Sequence, residues 1–285
     1  MAKYKLKGHE KFMVREGWLS KGLIGVEGDS GIFSGIESTD KLGVGINMVK
    51  SIRHWMQCFD LVRENQRTGT VLSELGEIIV ANDKYLEDDF TLWILHSNIA
   101  KNDLRATAWY LFFNKCPVNE FTKDEIFYPL KKELIAYAET DEFPDVSLKD
   151  DIDVLLNMYS RHTDDDDPED KNRCPFCVLG LIKKDNNVYI RQQPNLSRFS
   201  DYVILYELCC EFQDGDTQKK SVSIDTIADT AYNLYNLTRV SINGILDKLD
   251  NEGYIRVDRT AGLDVIYPIN IMQPLEAIQE YYNNR

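Results

Sequence analysis

The chain has 285 residues, 43% of them hydrophobic, and a formal net charge of −14. That apolar content supports a sizeable core and excludes wholesale disorder, while the negative balance argues against a generic polyanion binder. No apolar run approaches the ~18 residues of a membrane span. The start, MAKYKLKGHEKF, has no apolar stretch after its charges, so it is not a signal peptide and a cytoplasmic protein without membrane contact is expected.

The charge is unevenly placed. Residues 1–70 carry 11 Lys+Arg against 8 Asp+Glu, whereas residues 71–170 carry 9 against 24. The acidity therefore sits in the middle of the chain. Six cysteines are scattered at 58, 116, 174, 177, 209 and 210, which predicts reduced thiols rather than a disulfide framework.

Residues 1–24 mix Lys3, Lys5, Lys7, Lys11, Arg15 and Lys21 with Tyr4, Phe12 and Trp18. They predict an extended start and a helix over roughly 12–23. His9-Glu10 could form a general acid/base pair, but no nucleophile or metal motif accompanies it, and a structural hydrogen-bonding role at a helix start is expected. The glycine-rich stretch 25–37 follows no strand-then-helix pattern and reads as a loop. Ser38-Thr39-Asp40 then caps a short helix that stops at Gly43.

A longer helix over 46–59 follows a turn with Gly43 and Gly45. On a 3.6-residue wheel Met48, Ile52, Trp55 and Phe59 share one side, while Asn47, Lys50, Ser51 and His54 share the other. Short hydrogen-bonding groups and a cation near a helix start suit a nucleic-acid groove, though an ordinary solvated polar face has the same look. Asn65-Gln66-Arg67-Thr68-Gly69 reads as the turn of a hairpin, and Ser73 caps a further helix. Helix, turn, helix and basic-tipped hairpin is the plan of a winged helix, with Lys41, Arg53, Arg63 and Arg67 placed to hold phosphates.

Residues 83–115 are helical in period and rich in large aromatics. Their spacing amid Leu and Ile predicts core packing rather than a base-stacking platform, and His96 should be a buried, satisfied histidine. Thr122 with Glu125 forms a capping box, and a helix over about 148–160 ends at Arg161-His162. The run TDDDDPEDK reads as a linker, because consecutive aspartates repel and cannot all converge on one ion.

Cys174-Pro175-Phe176-Cys177 is half a zinc knuckle without a second pair, so no metal is assigned and zinc on Cys174 and Cys177 is kept only as the alternative. A hairpin around 185–187 and a buried helix over 201–212 follow. Residues 221–267 repeat the N-terminal plan, with helices over about 223–231 and 238–250 and a hairpin. Here Arg239, Asn243, Arg256 and Arg259 form a second expected DNA-contact set, weakened by Asp247 and Asp250.

The expected architecture is mainly α with small β-hairpins, an α+β class. A winged-helix-like domain spans 1–82, an acidic helical domain 83–162, an acidic linker 163–173, a hairpin-plus-helix connecting unit 174–218 and a winged-helix domain 219–285.

Gly8-His9-Glu10-Lys11-Phe12, Arg15-Glu16-Gly17-Trp18-Leu19-Ser20-Lys21-Gly22, the run Leu42 to Trp55, and Tyr85-Leu86-Glu87-Asp88 with Thr91-Leu92-Trp93 together resemble the bacterial family called domain of unknown function 4007. The resemblance is densest over 8–115. It implies a setting beside sulfurtransferase-like enzymes resembling phosphoadenosine phosphosulfate reductase, in DNA phosphorothioation and phage-defence systems, and supplies no catalytic residue. The expected function is therefore a non-catalytic component of such a system that binds double-stranded DNA and needs no cofactor. Its protein partners would be a sulfurtransferase-like enzyme or an ATPase, and a homodimer is possible. The alternative is an adaptor that binds those partners through its winged-helix and acidic surfaces without touching DNA. P-loop, HExxH and nucleophile-elbow motifs are missing, so no enzyme is expected.

Overall fold

The computed structural model describes residues 4–35, 37–160, 173–214 and 217–285. The expected acidic linker therefore falls almost wholly outside the described residues, as do Arg161 and His162. The chain divides into two compact units, Met1–Gln192 and Gln193–Arg285. Among the described residues it is mostly helical with small antiparallel sheets, which is the α+β class. No described helix is long and apolar enough to cross a membrane.

In the first unit, helix α1 spans Trp18–Gly28. It starts six residues later than the periodicity suggested, because Gly17 sits at φ 76, a left-handed conformation that glycine adopts at little cost and that interrupts a helix. The helix then runs on to Gly28, into the stretch expected to be loop. Helix α2 (Ser38–Leu42) ends on Gly43 at φ 63, and α3 spans Ile46–Cys58. Strands β1 (Val62–Asn65) and β2 (Gly69–Leu72) form the expected hairpin. Ser73 accepts from the Gly76 N–H at the start of α4 (Glu74–Asp83), satisfying one of the helix's free donors.

Helices α5 (Asp89–Lys101) and α6 (Thr107–Lys115) carry the aromatic core. Phe90, Trp93, Trp109, Phe112 and Phe113 are buried, so the aromatic spacing reflects packing. His96 is buried with Nδ1 2.8 Å from the Tyr159 hydroxyl, as expected of a satisfied core histidine. Helix α7 (Lys123–Ala138) starts on the Thr122–Glu125 capping box, and α8 spans Asp145–Ser160. Strand β3 (Glu120–Thr122) pairs with β5 (Val188–Arg191), which pairs with β4 (Ile182–Asp185). Segments before and after the acidic run thus share one sheet.

Cys174 caps a 3-10 turn over Pro175–Leu179 that contains Cys177. Both are buried, and the Cys177 thiol reaches the Met158 carbonyl at 3.3 Å. Burial pushes the Cys174 thiol far up, the direction that makes a cysteine inert rather than nucleophilic.

In the second unit, α9 spans Asp201–Phe212, after which come β6 (Gln213–Asp214) and β7 (Thr217–Gln218), a short pair. Strand β8 (Val222–Ser223) leads into α10 (Ile224–Tyr235), and Thr238 caps α11 (Arg239–Asn251). Strands β9 (Ile255–Asp258) and β10 (Val265–Pro268) form a hairpin, and β8 joins it in the order β8-β10-β9. The apolar side of α11, Ile242, Ile245, Leu246 and Leu249, is buried. Helix α12 (Pro274–Asn283) closes the chain.

Candidate nucleic-acid interface

The N-terminal segment lies across the first unit and is tied down at several points. The Lys5 N–H donates to the Thr107 hydroxyl at 2.9 Å and the Lys7 N–H to Asp151 at 2.8 Å. His9 is buried and stacks on Trp55 at 5.6 Å. The Lys11 N–H donates to His9 Nδ1, so Nε2 carries the ring proton and faces the Asp151 carboxylate at 2.9 Å. His9 therefore has a structural hydrogen-bonding role, with Asp151 of α8 rather than Glu10 as its partner. Burial raises the Asp151 carboxyl above its usual range, against the hydrogen bond from His9. Lys7 and Lys11 pair with the neighbouring Asp150 at 3.2 and 3.0 Å.

This segment covers part of the polar side of α3. Asn47 and Lys50 are exposed, as expected, but Ser51 is fully buried and His54 is 6% exposed. The four residues therefore do not form one open face. The Ser51 hydroxyl is buried without a hydrogen-bond partner among the described residues. His54 lies under Gly8, and its imidazole is 3.4 Å from the Cys58 sulfur through Nε2. Burial, then the charges of Lys5, His9 and Arg105, lower its pKa to about 3, so the ring is neutral near pH 7. The wheel could not show this, because the covering segment comes from elsewhere in the chain.

Between the segment and α3 opens a cleft of about 480 Å³. The segment contributes Lys5, Lys7, Gly8 and Glu10, and α3 contributes Lys50, Arg53, His54 and Gln57. Three expected contact residues, Lys50, Arg53 and His54, thus meet in one place. Lys5, Lys7 and Gln57 were not foreseen as site residues; the basic and aromatic alternation of residues 1–24 was the signal for the two lysines, and Gln57 had none.

The remaining expected contacts differ in how free their charge is. Lys41 pairs with Asp29 at 2.9 Å and Glu37 at 3.4 Å. Arg53 holds Glu64 at 2.8 Å, and that hydrogen bond leads the causes that lower the Glu64 carboxyl. Arg63 lies 3.9 Å from Glu74. In the second unit Arg239 pairs with Asp225 and Arg259 with Asp247, both at 2.6 Å. Asn243 is half-buried with its carbonyl oxygen unpartnered among the described residues. Among the described residues Lys50 pairs with no carboxylate and donates only to the neutral Asn47, at 3.4 Å, and Arg67 at the hairpin tip and Arg256 on β9 are exposed. Lys50, Arg67 and Arg256 are therefore the expected residues with charge left to offer an incoming anion.

Comparison with solved structures finds two close folds. A magnesium ion-bound SspB crystal structure superposes with a TM-score of 0.83 at 21% identity, covering 98% of this chain and 88% of that one. A second SspB crystal structure gives 0.82 at 20%, with the same coverage. No curated protein matches the sequence. The model of the family described as protein of unknown function (DUF4007) matches residues 6–282, nearly the whole chain, and the chain belongs to that family.

Proposed function

We propose that the chain is a DNA-binding component of a bacterial DNA-modification system of the phosphorothioation type, or of an anti-phage defence system. The observation that carries this reading is the cationic cleft of the first unit. Lys5, Lys7, Lys50 and Arg53 converge there; Lys7 and Arg53 are paired with Asp150 and Glu64, while Lys5 and Lys50 keep their charge opposite Glu10, on a chain whose net charge is −14. A positive concavity on an acidic protein gathers a polyanion at one place and repels it elsewhere. The order of helices and hairpins in both units supports reading them as winged helices, with α3 and the Arg67 tip meeting duplex. The setting follows from the family, whose resemblance implies sulfurtransferase-like neighbours and phosphorothioation. The fold likeness to SspB agrees with that setting.

A protein-docking role has its own observation, in the second unit. Three cations on and around α11 are neutralised, Arg239 by Asp225, Arg259 by Asp247 and Lys248 by Asp201, with Arg256 on β9 the exception. Val240 at the start of that helix is 82% exposed. A neutral face with an open apolar residue suits a protein better than a phosphate backbone, and a sulfurtransferase-like enzyme or ATPase of the same system is the partner this reading names.

The test is a low-salt mobility-shift titration of duplex DNA with the wild type and the Lys50→Glu, Arg67→Glu double variant. Co-purification with a protein partner and no DNA affinity would favour the adaptor alone. Supercoiled plasmid, with and without magnesium, reads whether binding is followed by strand cleavage; a non-catalytic component leaves it supercoiled.

A further inference from the structure

The cleft beside α3 has the make-up of a receptor for one small anion. Lys5 and Lys50 are exposed, and among the described residues no carboxylate pairs with either of them. Lys7 and Arg53 are fixed in the walls by Asp150 and Glu64, so their charge is largely offset and they do not swing into the space. Gln57 is held as well, donating to Glu64 at 2.7 Å and accepting from Arg105 at 2.9 Å.

His54 is the polar group that lacks a good partner. Its nearest polar neighbour is the Cys58 sulfur, a weak hydrogen-bonding group. The glycine at position 8 brings the backbone of the N-terminal segment against the imidazole, where any side chain would collide with it. The ring is thus walled on one side by backbone and on another by sulfur, and it lines the cleft.

We propose that this cleft is a subsite for a single phosphate group, bound by the ammonium groups of Lys5 and Lys50 with the His54 imidazole donating an N–H. The assignment rests on the DNA-binding reading and names what the cleft holds. Two ammonium groups that no carboxylate pairs with among the described residues supply the charge an oxyanion needs, and charge-assisted hydrogen bonds of this kind are short and strong. His54 adds a directional donor without adding charge. Besides Lys5, the charged or titratable groups acting on the ring are Arg105, His9 and Cys58, the last two buried, while Glu10 lines the cleft and limits how much negative charge it accepts. The phosphate could be a backbone phosphodiester, the phosphomonoester at a strand end, or free phosphate.

Titration of the full chain with inorganic phosphate, at ionic strength held constant with chloride, tests the subsite. The four histidines are followed through their ring protons by NMR, and the His54 signal is assigned by its loss in His54→Gln. The expected result is a saturable shift of the His54 signal, weakened at least tenfold in a Lys5→Gln, Lys50→Gln variant whose other histidine signals stay in place. Competition with duplexes bearing a 5′-phosphate or a 5′-hydroxyl then separates the sources: preference for the former indicates a strand end, and equal competition a backbone phosphate. Absence of the shift, or equal affinity in the double variant, overturns the proposal. DNA binding that survives in that case leaves the DNA-binding reading standing. A saturable phosphate shift without DNA affinity refutes that reading and keeps the subsite.

Discussion

Gly8 and His54 are packed so closely that a Cβ built on the glycine would stand 2.3 Å from the His54 Cε1. The contact joins the N-terminal segment to α3. It predicts that Gly8→Ala displaces either the ring or the segment. Overpacking of this kind costs about 1–3 kcal/mol, readable as a lower denaturant midpoint, and the His54 ring signals should move. An unchanged midpoint with unmoved signals would mean the segment is not held where it is described.

The helix itself was legible in the sequence. Its period, its Gly43 stop before it and the hairpin after it are local signals, and the structure places α3 within a residue of the expected bounds. What was not legible is which part of its polar side stays open. His54 is covered by Gly8, more than forty positions away, and Ser51 is buried as well; no wheel contains that information. The partner of His9 was hidden for the same reason, because Asp151 lies on α8, 142 residues on. The late start of α1 at Trp18 was missed because a single left-handed glycine outweighed the apolar period.

His54 makes stability depend on pH in a definite direction. Its pKa is lowered to about 3 in the fold, against an ordinary 6.5. Between those values the unfolded chain binds a proton that the folded chain does not, so stability falls as pH drops through that window. From pH 7 to pH 5 the loss from this group is about 2 kcal/mol. Asp151, whose carboxyl is raised by burial, acts oppositely, so the measurement compares wild type with His54→Gln. Denaturant melts at the two pH values should show the variant losing less; equal losses would contradict a buried neutral His54.

Asp151 accepts from both the His9 ring and the Lys7 backbone. Asp151→Ala leaves both donors without their acceptor, the ring donor deeply buried, and should cost about 3 kcal/mol. Limited proteolysis should then cut within the N-terminal segment before the rest of the unit. A variant as stable and as resistant as wild type would show that the pair does not anchor the segment.

The cations should not weigh equally in DNA binding. Lys50→Gln removes a charge that no carboxylate pairs with among the described residues and should reduce the slope of log affinity against log salt by about 1. Arg53→Gln removes one already shared with Glu64 and should change it less. The reverse order would show that pairing in the free protein does not predict contact in the complex.

The central claim, that the first unit grips DNA through the α3 side and the hairpin tip, is tested most directly by the Lys50→Glu, Arg67→Glu double variant in a mobility-shift titration over a range of salt. Salt-dependent binding by the wild type, lost in the double variant while its thermal melt is unchanged, is the predicted result. Equal binding by the two proteins would contradict it.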